Sequence, residues 1–174
     1  MQKVIRILRY DWPMHFILLL TNWLPDNVAI VKLRGFLIRP FFKSAGKNLQ
    51  VGRDVTFYNP SKITIGSDVY IAKGCWFSGS GEIEIGNKIL FGPYVVVVTS
   101  NHSIANNSYY DGPPIQMQKV IIQDGCWIGA HATILAGVVL AQTTLLAANS
   151  VLSKNTEVKS IYGGVPAKLI KYAE

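Results

Sequence analysis

Acidic residues, cysteine, histidine and long apolar runs are all scarce in this 174-residue chain. Ten Asp and Glu stand against 17 Lys and Arg, a net charge of +7, which suits an anionic ligand or surface such as phosphates or acidic lipid headgroups. No nucleic-acid recognition motif accompanies the charge, so nucleic acid is not expected as a partner. Two cysteines, Cys75 and Cys126, are too few for a disulfide framework and favour a reducing compartment. The histidines number three, His15, His102 and His131, so a three-histidine metal centre would need them all. The run Phe16-Ile17-Leu18-Leu19-Leu20 is too short to span a bilayer. No small-residue cleavage site follows it, which argues against a secretion signal. With 49% hydrophobic and 16% charged residues, the chain reads as globular, long enough for one sizeable core.

What is abundant is a repeat. From Ile122 onward an aliphatic residue opens every block of six: Ile122, Ile128, Ile134, Leu140, Leu146, Leu152, Val158. Four places into each of the first six blocks comes a compact residue: Cys126, Ala132, Val138, Thr144, Ser150, Thr156. Six residues turn an α-helix by about 600°, so no helical face holds that period. A strand alternates with period two, and six fits if the chain bends at each block. Three short strands then make a triangular coil of roughly 18 residues, and stacked coils pair in parallel. The pattern predicts an all-β fold, a left-handed parallel β-helix of hexapeptide repeats. The two cysteines occupy compact positions and are expected buried.

A second pattern, aliphatic-x-aliphatic-Gly-x-x-aliphatic, begins at Leu49, Ile63 and Ile83, and recurs at Val120 with Gln123 in place of glycine. The phase slips by two residues at each copy, as if one corner were enlarged. The 14-residue step between the first two copies is short for a coil. Residues 1–45 differ in kind, with Lys3, Arg6, Arg9, Arg34, Arg39 and Lys43 around the apolar run. They predict an N-terminal helical extension: two helices separated near Pro25, the first broken at Pro13, capping the first coil. Residues 1–24, with Trp12 and Trp23, also suit contact with a membrane surface. The division expected is 1–45 helical cap, 46–162 β-helix and 163–174 C-terminal tail. One long protruding loop, 99–118, interrupts the repeat. It is polar, contains Asn106, Asn107, Asp111, Pro113 and Pro114, and opens with Asn101-His102. A loop of about 20 residues in a compact repeat is commonly functional.

The hexad run, the Asn-His loop and the exit Gly163-Gly164-Val165-Pro166-Ala167-Lys168 together resemble the hexapeptide-repeat acyltransferases. From about Leu49 to Lys168 the chain looks like the maltose and galactoside O-acetyltransferases. Its basic, apolar N-terminus looks closer to the branch acting on bacterial surface-polysaccharide sugars. The resemblance implies acetyl-CoA as donor, no metal, and a homotrimer with sites between subunits. It makes His102, with Asn101 beside it, the catalytic pair. It makes Trp127, Gly129, Ala130, Ala148, Ser153, Lys154, Pro166 and Lys168, with Lys171, the cofactor-binding set. Ala147 and Asn149 replace the glycines that flank the family's tunnel alanine, a change expected to narrow the channel. The acceptor residues of the maltose and galactoside enzymes have no clear match among Cys75, Trp76 and Ser78.

The chemistry is consistent with that set. Acyl transfer from a thioester to a sugar hydroxyl needs a base active near neutral pH, a place for the nucleophile, and donors for the oxyanion. Neutral imidazole on His102 meets the first need. His131 is expected to point outward, and His15 to pack in the apolar segment. No serine or cysteine aligns with His102 as a nucleophile, so direct attack by the acceptor is favoured over an acyl-enzyme. The expected function is O-acetylation of a glycan or sugar precursor in surface-polysaccharide biosynthesis, in the cytoplasm or at the inner face of the membrane. The alternatives are an N-acyltransferase for a nucleotide-linked amino sugar and, from outside enzymology or with a metal, a β-helix scaffold or carbonic-anhydrase-like protein.

Overall fold

The computed structural model of the chain describes residues 2–112 and 116–173. Pro113 and Pro114 of the polar loop lie outside the described residues. From Ser44 onward the chain winds as stacked triangular coils whose short strands form three parallel sheets, the three faces of a left-handed β-helix. The first face stacks Ser44–Ala45, Ile63–Ile65, Ile83–Ile85, Val120–Ile122 and Val139–Leu140. On the second face lie Gln50–Val51, Tyr70–Ile71, Leu90–Phe91, Trp127–Ile128, Leu145–Leu146 and Ser160–Gly164. The third holds Thr56–Tyr58, Trp76–Ser78, Val96–Val98, Thr133–Ile134 and Val151–Leu152.

Side-chain alternation decides what fills the prism. The hexad residues from Ile122 to Leu152 are at most 1% exposed, and the compact residues from Cys126 to Thr156 at most 9%. Towards the N-terminal coils the filling turns aromatic, with Phe57 stacked on Phe77 and Phe91 set edge-on to Phe77. Thr144 and Thr156 keep hydroxyls inside because both are satisfied. Thr156 Oγ1 accepts from the Ala141 amide at 2.8 Å, and Thr144 Oγ1 donates to the Glu157 carbonyl at 3.1 Å. Val158 breaks the series: it is 53% exposed, because the last coil is short, Leu146 pairing with Tyr162 only sixteen residues on. There Ala167–Tyr172 returns antiparallel along Ser160–Gly164 and edges the second face.

Coil length varies in a way that explains the phase slips. Ile121 pairs with Val139, eighteen residues on, whereas Ile63 pairs with Ile83, twenty on. The two extra residues are taken up by 3₁₀ turns at Pro60–Lys62 and Gly79–Gly81, both at the corner between the third and first faces. The short 14-residue step also resolves. Gln50–Val51 belongs to the second face, while the segment under Ile63–Ile65 is Ser44–Ala45, with Ser44 opposite Thr64. The first-face corner glycines are required by crowding. A Cβ on Gly66 would stand 2.5 Å from the carbonyl oxygen of Gly86 in the next coil. Above them, Gln123 takes the same corner and accepts from the Gln142 amide through its side chain.

The N-terminal segment is helical through Gln2–Arg6, a π turn at Ile7–Asp11, and Trp12–Thr21, followed by Val28–Ile38. Pro13 therefore does not break the first helix. The wider π turn brings the Trp12 amide to the Ile7 carbonyl, so the helix runs on with Pro13 in its first turn, where a proline lacks no needed donor. Asn27 caps the second helix by accepting from the Ile30 amide. Met14, Leu18, Ile38 and Phe42 join the core beside Val51, Val55 and Phe57 of the first coil. No described helix is long and apolar enough to cross a membrane.

Candidate active site

The loop that interrupts the repeat is an arm tied firmly at its base. Thr99, fully buried, donates its hydroxyl to the Ser78 carbonyl at 2.5 Å and accepts from the Gly81 amide at 2.7 Å. Gln118 closes the other side by donating to the Thr99 carbonyl at 2.9 Å. Ser100–Asn101 then pairs antiparallel with Gln116–Met117, Asn101 opposite Gln116. His102 is the first residue beyond this ladder and its side chain is exposed. Further out, Asn106 and Asn107 turn the arm through left-handed backbone angles. Among the described residues no carboxylate is paired with the imidazole: Glu82 reaches Lys43 at 3.4 Å, and Asp111 is exposed.

The remaining candidates fall at two corners of the prism. Between the second and third faces run Gly129-Ala130-His131 and, one coil on, Ala147-Ala148-Asn149. Trp127 approaches that corner on the outer side of the second face, paired with Leu90 and Leu145 and half exposed. Gly129 has no room for a side chain, since a Cβ there would lie 2.5 Å from the Ala148 amide nitrogen. Asn149 takes the left-handed backbone, a conformation asparagine tolerates, in place of a glycine. Pro166 comes to the same corner, because Gly164 just before it donates to Ser150 Oγ at 3.0 Å. Lys168 and Lys171 lie exposed on the return strand, opposite Gly163 and Ile161.

Ser153 and Lys154 sit instead where the third face turns into the first. That is also the corner of the arm: a Cβ on Gly137, in the coil before theirs, would meet Gln118 Oε1 at 2.8 Å. Within one chain, His102 thus shares a corner with Ser153 and Lys154. Trp127, Gly129, Ala130, Ala148 and Pro166 share another, across the third face. His131 points outward and stacks on Tyr94, centroids 5.0 Å apart. Tyr94 had no signal in the sequence beyond its place at the corner where Gly74 stands one coil earlier.

The cysteines offer no nucleophile. Cys75 Sγ donates to the Gly92 carbonyl and Cys126 Sγ to the Ala141 carbonyl, and burial pushes both thiols up to about 11. Among the described residues no three His, Cys, Asp or Glu side chains gather as a metal ion would require.

Comparison with known proteins decides the family. The chain is 30% identical over 156 residues to an Escherichia coli dTDP-4-amino-4,6-dideoxy-D-glucose acyltransferase, covering 74% of this chain and 81% of that protein. It belongs to the hexapeptide-repeat acyltransferase family. The galactoside O-acetyltransferase of Escherichia coli K12 is 26% identical over 141 residues, 81% of this chain and 69% of the relative. A putative colanic acid biosynthesis acetyltransferase of the same strain is 25% identical over 149 residues, 86% of this chain and 79% of the relative. Among solved structures, a maltose O-acetyltransferase from Clostridium difficile matches with TM-score 0.83 and 25% identity, over 98% of this chain and 89% of that one. A variant of a Bacillus cereus N-acyltransferase, bound to dTDP and coenzyme A, matches with TM-score 0.63 and 25% identity, over 80% and 88%. No family model matches the chain.

Proposed function

We propose that the protein transfers an acetyl group from acetyl-CoA to a sugar hydroxyl in surface-polysaccharide biosynthesis. The observation that carries this reading is the position of His102, exposed just beyond the pinned base of an arm that the repeat itself does not need. In the proposed reaction, His102 takes the proton of the acceptor hydroxyl as its oxygen attacks the thioester carbonyl, and Asn101 holds the strand that positions the ring. The tetrahedral intermediate collapses to the sugar ester, and the proton passes to the departing thiolate sulfur of coenzyme A. No acyl-enzyme intervenes, since the buried cysteines stay protonated at neutral pH.

The donor would lie along the corner of Trp127, Gly129, Ala130 and Ala148, with Pro166 at its far end. Ser153, Lys154, Lys168 and Lys171 supply hydroxyl and cationic groups suited to its phosphates. Because His102 and the Trp127 corner stand on different edges of one chain, a homotrimer with sites between subunits is part of the reading. The cytoplasm, where acetyl-CoA and sugar precursors are at hand, is the proposed setting, with residues 1–24 against the inner face of the membrane. The colanic acid relative supports the polysaccharide role.

N-acylation of a nucleotide-linked amino sugar is the second reading, favoured by the relative of 30% identity, which is named for that chemistry. Thioester consumption measured with parallel panels of hydroxyl and amino sugars separates the two. Turnover with amino sugars alone would replace the first reading by the second.

A further inference from the structure

The helical segment carries an apolar surface that the acyltransfer reading does not use. Down the outer side of the first helix run Leu8, Trp12, Phe16, Leu19, Leu20 and Trp23, each more than half exposed. Steps of three and four residues keep Leu8, Trp12, Phe16, Leu19 and Trp23 on one side. The π turn lets that side continue past Pro13. Met14, Leu18 and Thr21 point the other way, buried against the first coil. The second helix repeats the arrangement, with Val31, Arg34 and Ile38 inward and Val28, Leu33 and Phe36 outward. A helix apolar on both sides is normally covered on both sides. The first coil covers only one.

Charge indicates what covers the other. The acids of this segment are engaged within the fold: Asp11 by Arg6, and Asp26 by Arg34 and Arg53. Among the described residues, the exposed Arg9 and Lys32 pair with no carboxylate, so the outer side is positive as well as apolar. A second copy would bring the same positive face and repel it. An anionic surface would not. The two tryptophans have apolar rings with one donor each, the chemistry that settles at the boundary between lipid tails and headgroups. With no described helix able to cross a bilayer, the pair of helices would lie in its plane.

We propose that the outer side of these two helices docks on an anionic bilayer. This extends the contact of the reading above from residues 1–24 to the second helix, and rests on that reading only for its cellular setting. The full-length protein is floated with vesicles of phosphatidylcholine alone and with vesicles containing phosphatidylglycerol, without acetyl donor. It floats with the anionic vesicles, and less as salt rises. Neutralising Arg9 and Lys32 together, by Arg9→Gln and Lys32→Gln, weakens that partitioning roughly thirtyfold, taking about 1 kcal/mol per basic residue near the surface. Phe16→Glu with Leu19→Glu abolishes it. Both positions are exposed, so the thermal midpoint and the sedimentation of these variants match the parent. Brominated lipid quenches tryptophan fluorescence, and the quenching is lost in Trp12→Phe with Trp23→Phe. Protein that stays unbound with every vesicle overturns the proposal, as does flotation indifferent to the Glu substitutions. A change in oligomeric state in the Glu variant also overturns it, by showing that another copy covers the face. Because no turnover is read, failure here leaves the acyltransfer reading standing, and failure of that reading leaves this result intact.

Discussion

The imidazole of His131 lies almost parallel to the ring of Tyr94, with centroids 5.0 Å apart and planes 17° from parallel. Both residues hold left-handed backbone angles, φ 57° and 58°, at the same corner one coil apart. The His131 amide donates to the Pro93 carbonyl at 2.9 Å, which fixes the ring over its neighbour. This packing gives His131 a structural occupation beside the proposed donor channel. His131→Ala is expected to keep acetyl transfer within about threefold of the parent while losing about 0.5–1.5 kcal/mol of stability with the aromatic contact. Turnover and thermal unfolding of the same sample check it. A loss of transfer above about a hundredfold would make this histidine, not the arm's, the base.

Arg34 is fully buried, and it joins the helical segment to the first coil. Its guanidinium donates to the carbonyls of Val51 at 2.7 Å and Thr21 at 3.1 Å, and to Asp26 at 2.9 Å. The Thr21 carbonyl, at the end of its helix, also accepts from the Leu24 amide at 3.1 Å, so the guanidinium is its second donor. Arg34→Ala empties a fully buried site, takes the donor from the Val51 carbonyl, and leaves Asp26 to Arg53 alone. A loss of about 3–5 kcal/mol in urea unfolding is expected. A loss under about 1 kcal/mol would show that water replaces the guanidinium freely.

The interior from Ile122 to Leu152 is legible because alternation and corner spacing are local properties of the chain, repeated until chance is excluded. Val158 matches the same rule and lies outside, because nothing local signals that the last coil is two residues short. The strand Ala167–Tyr172 is hidden for a related reason: Gly163-Gly164-Val165-Pro166-Ala167-Lys168 reads as an exit into a tail, and its return along Ser160–Gly164 has no local signal. Pro13 suggested a break, since a proline's missing donor normally ends a helix, and a π turn that absorbs it has no signature in composition. The partition of the site residues between two corners follows from coil phase. It becomes visible only once the enlarged corners at Pro60–Lys62 and Gly79–Gly81 are known.

The buried thiols set an alkaline limit. Burial raises Cys75 and Cys126 from 9.0 to about 11, so between those values the folded chain holds protons that the unfolded chain has released. Their contribution is therefore complete below about pH 9 and declines as pH rises towards 11. Iodoacetamide at pH 8 should leave both cysteines unmodified in the native protein and modify both in urea, as mass spectrometry would read. Unfolding free energy should fall between pH 9 and 11, and Cys75→Ala with Cys126→Ala should flatten part of that fall. Rapid native alkylation at pH 8 would contradict the burial.

The sharpest consequence of the two-corner arrangement concerns His102 and Ala148. His102→Ala should lower acetyl transfer by roughly 10²- to 10⁴-fold, with coenzyme A binding by calorimetry little changed, because the donor corner is elsewhere on the chain. Ala148→Trp, at an exposed corner position, should leave the fold intact and obstruct the donor. Each variant alone would be nearly inactive. If a site takes His102 from one subunit and Ala148 from its neighbour, co-expressing the two in equal amounts lets mixed trimers form. About one site in four would then carry both original residues, and activity should return to about a quarter of the parent's. If one subunit supplied both residues, every site in the mixture would hold one lesion or the other. Activity of the co-expressed protein no greater than that of the separate variants would therefore refute the shared site, even if His102 proved to be the base.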